Sequence, residues 1–263
     1  MFIVDSHCHL FYEGIVENLD DNLKIAREND IKCFLSVSTS LESIDMNKKI
    51  SNTHDDVFYS VGIHPTHYDS SISHKTILPY IHDDKVVAIG EVGLDYFYDK
   101  EISRKDQEKL LREMFEISNH TTLPYIFHSR DCFPDIFDIM DDYKNLHNGV
   151  FHCYTGDVET AKIILDKGFY ISFSGIITFK NAGHLIDVAR YIPDDRFLVE
   201  TDSPYLTPVP YRGRTNKPSY VKFVADKIAE IKNKTLKEIA SITTNNFKTL
   251  FNKTKNFIED NNI

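Results

Sequence analysis

The sequence contains no CxxC pair. Its four cysteines, Cys8, Cys33, Cys132 and Cys153, lie scattered. This excludes the usual zinc and redox spacings and reads as reduced thiols in a cytoplasmic protein. No apolar run approaches the length of a membrane span, and no basic segment precedes the first apolar stretch. Neither an anchor nor a signal peptide is therefore expected. Basic residues are also in deficit, with 30 Lys and Arg against 40 Asp and Glu and a formal charge of −10. Such a surface repels polyanions at long range, so a nucleic-acid substrate would need a local basic patch or bound metal. A Gly-rich dinucleotide turn after the first strand-like segment is missing, which argues against a nucleotide-binding open sheet. There is no linker or low-complexity tract. With 41% hydrophobic and 27% charged residues, the 263 residues read as one folded domain.

Strand-like and helix-like segments alternate along the chain. Strands are expected at 2–6, 32–37, 57–61, 86–89, 123–127, 149–151, 169–173 and 197–199. Helical periodicity falls at 17–29, 41–50, 75–82, 104–119, 133–143, 158–167 and 182–191, and again at 220–231 and 236–247. Eight such βα units in this length predict a single-domain (β/α)8 TIM barrel, an α/β fold.

In that fold the active site lies at the carboxyl ends of the strands. Those ends carry His7 and His9 (first), His64 (third), Glu91 (fourth), His128 (fifth), His152 (sixth) and Asp202 (eighth), while serines end the second and seventh. A ring of imidazoles and carboxylates at one face calls for cations. Six donors, His7, His9, Glu91, His128, His152 and Asp202, exceed what one tetrahedral ion uses. Two divalent ions about 3.5–4 Å apart would use them all. His7, His9 and Asp202 would serve one ion, His128 and His152 the other, with Glu91 as the bridge. The set admits zinc, manganese, nickel, iron or magnesium.

Asp202 is also a candidate general base toward a metal-activated water. Glu200 and Asp5 share parity with the donors; Asp5 is expected to orient one from behind, and Glu200 either to orient one or to pair with an arginine. His64, in Gly-Ile-His-Pro, is either an acid to a leaving group or a structural histidine beside Pro65. His67 is expected on the surface. By alternation Cys8 and Cys153 should point away from the histidines' face. Arg130, Arg212 and Arg214 are candidate phosphate contacts. Tyr96, Phe97 and Tyr154 follow strand ends, where a ring would stack on a base.

The strings DSHCHL, GIHP, GEVGLDYF, LPYIFHSRD, GVFHCYTGD, ISFSGIITFKNA and VETDSPYLTPVPYRGRTNKPSYV resemble, in order, the motifs of TatD-type metal-dependent deoxyribonucleases. That family is grouped with the amidohydrolases. The resemblance implies a TIM barrel and two divalent metals on His7, His9, Glu91, His128, His152 and Asp202. It further implies hydrolysis of DNA phosphodiesters, often 3′-to-5′ on single strands or ends. Relatives acting on other esters, including aminoacyl-tRNA, leave RNA and a D-aminoacyl-tRNA deacylase as alternatives. No membrane and no obligate protein partner is expected.

Overall fold

In a computed structural model, which describes residues 2–261, eight parallel strands run in the order β1 to β8. They are β1 (Ile3–Cys8), β2 (Ile31–Ser36), β3 (Val57–Val61), β4 (Val86–Asp95), β5 (Tyr125–Arg130), β6 (Gly149–Phe151), β7 (Tyr170–Phe173) and β8 (Phe197–Val199). Helices α1 (Leu19–Glu28), α2 (Leu41–Thr53), α3 (His74–Ile77), α4 (Arg104–Phe115), α5 (Phe133–Asp141), α6 (Val158–Asp166), α7 (Gly183–Tyr191) and α8 (Val221–Lys232) follow the strands in turn. Two more, α9 (Leu236–Leu250) and α10 (Lys255–Asp260), end the chain. A seam of main-chain contacts joins β1 to the segment after β8. The Asp202 N–H donates to His7 O at 2.9 Å, and the His9 N–H donates to Ser203 O at 2.8 Å. The expected (β/α)8 barrel is the observed fold.

Two apolar layers hold it together. The larger lies between strands and helices. The smaller takes a residue from every strand, including Val4, Leu35, Phe58, Val87, Ile126, Val150, Tyr170 and Leu198. Such a set is the barrel's interior packing. Phe247, Leu250, Phe251 and Ile258 of the last helices and their junction join it, so α9 and α10 close the end opposite the site.

Two elements differ most from the sequence reading. The 75–82 periodicity yields only the short α3. Conversely, β4 does not stop at Ile89 but runs on to Asp95, because β5 supplies partners as far as Asp95↔Arg130. That pairing is unusually close at Gly93, where a Cβ would fall 1.9 Å from His128 O and φ is +152°. Only glycine fits there. The missing side chain lets β5 set His128 beside Glu91.

Candidate metal centre

The six expected donors converge on one cluster at the carboxyl ends of the strands. His7 Nε2 lies 3.3 Å from His9 Nε2, which lies 3.3 Å from Asp202 Oδ1. Across the cluster His128 Nδ1 lies 3.3 Å from His152 Nε2. Glu91 stands between the two pairs. Its Oε1 is 2.8 Å from His128 Nδ1 and 2.7 Å from His152 Nε2. Its Oε2 is 3.7 Å from His7 Nε2 and 3.9 Å from His9 Nε2. One carboxylate thus presents a different oxygen to each histidine pair.

Most of these rings are gripped from behind. His9 Nδ1 lies 2.8 Å from Val37 O, and His152 Nδ1 lies 3.4 Å from Glu200 Oε1. Glu200 is itself fixed by the Cys153 N–H and the Ser172 hydroxyl. His128 Nε2 lies 2.8 Å from Asp95 Oδ2, a carboxylate absent from the expected site. Alternation from Glu91 through Gly93 would have put Asp95 on the same face, had the strand been read past Ile89. Asp5 has another task. It accepts the Thr201 N–H at 2.9 Å and the Thr201 hydroxyl at 2.6 Å, steadying the turn before Asp202 rather than a ring.

The electrostatics are those of a crowded site balanced by buried negative charge. Burial, with the charge of His152, drives His7 well below the ordinary histidine range. Burial also takes His64 down to about 3, helped by His128. For His152, burial pulls down, yet Glu91 and Glu200 more than offset it and push it well above the usual value. His128 and His9 are raised for the same reason, by Asp95 and Glu91 and by Asp202 and Glu91. Burial alone would raise Glu91, but His152 and His64 hold it well below the usual carboxylate range.

The residues fit a divalent-metal centre. Imidazole nitrogens face one another, at 3.3 Å for His7–His9 and for His128–His152, around the buried Glu91 carboxylate. His7 Nδ1 is buried without any hydrogen-bond partner among the described residues. Three sets of donors, His7–His9–Glu91, His7–His152–Asp202 and His64–Glu91–His128, each lie within 4.8 Å. Mixed imidazole and carboxylate donors suit zinc and its neighbours.

Above the cluster opens a cavity of about 570 Å³, the size of a small-ligand site. His64 enters it more fully than its sequence context suggested. Its Nε2 lies 3.6 Å from Glu91 Oε1, and its ring centroid is 4.3 Å from that of His128. The Thr66 N–H donates to His64 Nδ1, so a neutral ring carries its proton on Nε2. His67, exposed as expected, also lines the cavity. So does Cys153, which was expected to point away; its φ of +45° breaks the alternation of the strand. Its thiol meets the Ser174 hydroxyl at 3.1 Å.

The substrate contacts need more correction. Arg130 lines the cavity, with its guanidinium 3.9 Å from the centroid of the Phe97 ring. Arg212 and Arg214 do not line it. Arg212 donates to Thr207 O and lies 3.8 Å over Phe179, so its own loop uses it, and Arg214 lies over Tyr211. Tyr96 is buried, and its hydroxyl donates to Asp135 at 2.7 Å. The 3₁₀ turn that starts at Tyr96 turns that ring into the protein. Tyr154 is likewise buried. The aromatics that do line the cavity are Tyr12, Tyr98 and Tyr205, none singled out from the sequence.

Barrel and donor cluster together define the class, a metal-dependent hydrolase on a (β/α)8 scaffold. The family model described as TatD related DNase matches residues 4–252, and the chain belongs to that family. It is 43% identical to the uncharacterized metal-dependent hydrolase YcfH of Escherichia coli K12, over 95% of this chain and 96% of that one. It is 39% identical to the uncharacterized metal-dependent hydrolase YabD of Bacillus subtilis 168, over 95% and 98%. Among solved structures it is similar to YjjV, a TatD homolog from Escherichia coli K12. There the TM-score is 0.88 at 25% identity, covering 95% of this chain and 98% of that one.

Proposed function

We propose that the protein cleaves DNA phosphodiesters with divalent metal, as a 3′-to-5′ exodeoxyribonuclease on single strands or ends. The observation that carries this reading is Glu91. Its two oxygens are shared between the His7–His9 pair and the His128–His152 pair at the floor of an open cavity. Two magnesium, manganese or zinc ions held by His7, His9, Glu91, His128, His152 and Asp202 would acidify water and offset charge on a phosphoryl group. Asp202, its carboxylate partly open to the cavity, accepts the water's proton. His64 Nε2–H donates toward the departing oxygen. In balance, a water oxygen bonds to phosphorus as the P–O3′ bond breaks, and the departing oxygen takes a proton from solvent, leaving a 3′-hydroxyl strand and a 5′-nucleotide. Arg130 steadies a phosphate at the rim, and the open tyrosines offer stacking faces.

A second reading keeps the centre and changes the ester, as in a D-aminoacyl-tRNA deacylase. What favours it is the sparse positive charge. Among the described residues, Arg130 is the sole Lys or Arg lining the cavity, in a protein of charge −10. Labelled single-stranded DNA and mischarged tRNA, each assayed with magnesium, manganese and zinc, separate the two. With the favoured substrate, Asp202→Asn is expected to lower kcat by 10²-fold or more while circular dichroism stays unchanged. Undiminished DNA cleavage by that variant would remove Asp202 as base.

A further inference from the structure

The rim of the cavity is unusually rich in exposed rings. Tyr205 is 51% exposed and Tyr98 36%, and both line the cavity with Tyr12, while Phe97, 59% exposed, lies outside the lining against Arg130. They fall into two groups. Tyr12 follows β1 and Tyr205 follows β8, and their centroids lie 5.7 Å apart at 72°. Phe97 and Tyr98 follow β4, 5.1 Å apart, and Arg130 ends β5 and lies over the Phe97 ring. In a barrel ordered β1 to β8, the β8–β1 seam and the β4–β5 pair stand across the mouth from each other. The donor cluster lies on the floor between them.

Charge is as unequal as the rings are balanced. Arg130 stands on the β4–β5 side, and no Lys or Arg lines the cavity on the β8–β1 side among the described residues. A strand crossing the mouth therefore meets a stacking face on both sides but a phosphate partner on one. Bases stack on exposed rings whatever their identity, and a guanidinium on a ring adds both charge and a planar face.

We infer that the mouth binds a single-stranded 3′ end in one direction, resting on the nuclease reading above. The terminal base stacks on the Tyr12–Tyr205 ledge. The penultimate base lies on the Tyr98 ring, with Arg130 on the next phosphate of the retained strand. The linkage between the two nucleosides then lies over Glu91. A paired end offers no free face to either ledge, so a blunt duplex must fray before it enters.

Oligonucleotides carrying 2-aminopurine at the terminal or the penultimate position test this. The readout is the rapid fluorescence quench on mixing with metal-loaded protein, before turnover. Tyr205 and Tyr98 are both exposed, so Tyr205→Leu and Tyr98→Leu are expected to fold. Tyr205→Leu should weaken the terminal quench roughly tenfold in apparent affinity and spare the penultimate one, and Tyr98→Leu should do the reverse. The same pattern with the two positions exchanged overturns the direction. Two variants that leave both quenches intact overturn the ledges. Should wild-type protein cleave no DNA at all, the nuclease reading falls, a result distinct from either.

Discussion

Asp95 shows how much a single carboxylate behind a ligand decides. Facing His128 Nε2 at 2.8 Å, it holds that nitrogen protonated and leaves Nδ1 free toward the centre. Burial would raise Asp95, but the bond and charge of His128 hold it below the usual carboxylate range, so it stays ionised. Gln107 grips its backbone through both N–H and C=O. Asp95→Asn is expected to cost 10- to 100-fold in metal affinity, measured by calorimetric titration of zinc or manganese into apo-protein. Unchanged affinity would reduce Asp95 to a packing group. The six clustered donors themselves are legible in the sequence, because a histidine or carboxylate at a strand end is visible as a string. Asp95, Cys153 and Tyr96 are not. Their facing depends on where β4 ends, on one positive φ and on a 3₁₀ turn, which the pattern of apolar residues does not encode.

At the scale of elements, the strands were easier to read than the helices, since β-branched runs between polar turns leave little choice. The helices kept their places but lost a turn where 3₁₀ geometry took over, as at 116–119 after α4. Packing of α8 and α9 against the barrel depends partly on Asp194. Its carboxylate meets Lys234 at 2.9 Å and Lys232 at 3.3 Å, while its carbonyl accepts from the Asn246 side chain. Partial burial pushes the Asp194 pKa up, but the two ammonium groups more than offset this and hold it below the usual value. A depressed carboxylate adds stability above its unfolded pKa of about 3.9, and that stability is lost as pH falls through the folded value. Wild type should therefore exceed Asp194→Asn by under about 1 kcal/mol in urea melts at pH 7. The gap should close below about pH 4. A gap that persists at pH 3 would mean the aspartate acts by shape rather than charge.

For the whole molecule, the net charge of −10 sets the terms on which any polyanion binds. With Arg130 the one Lys or Arg lining the cavity among the described residues, affinity for single-stranded DNA should depend weakly on salt. The expected slope of log K against log salt is about −0.7, the value for one neutralised phosphate on a single strand. A slope steeper than about −3 by fluorescence anisotropy would reveal an extended basic track elsewhere.

The packing of α9 and α10 beneath the strands has its own consequence. It makes the barrel a blind well. Whatever enters over Glu91 leaves by the same opening, past whatever still occupies it. On the nuclease reading, a released nucleotide would have to clear the mouth before the shortened strand advanced, so cutting and advancing would alternate through a single door.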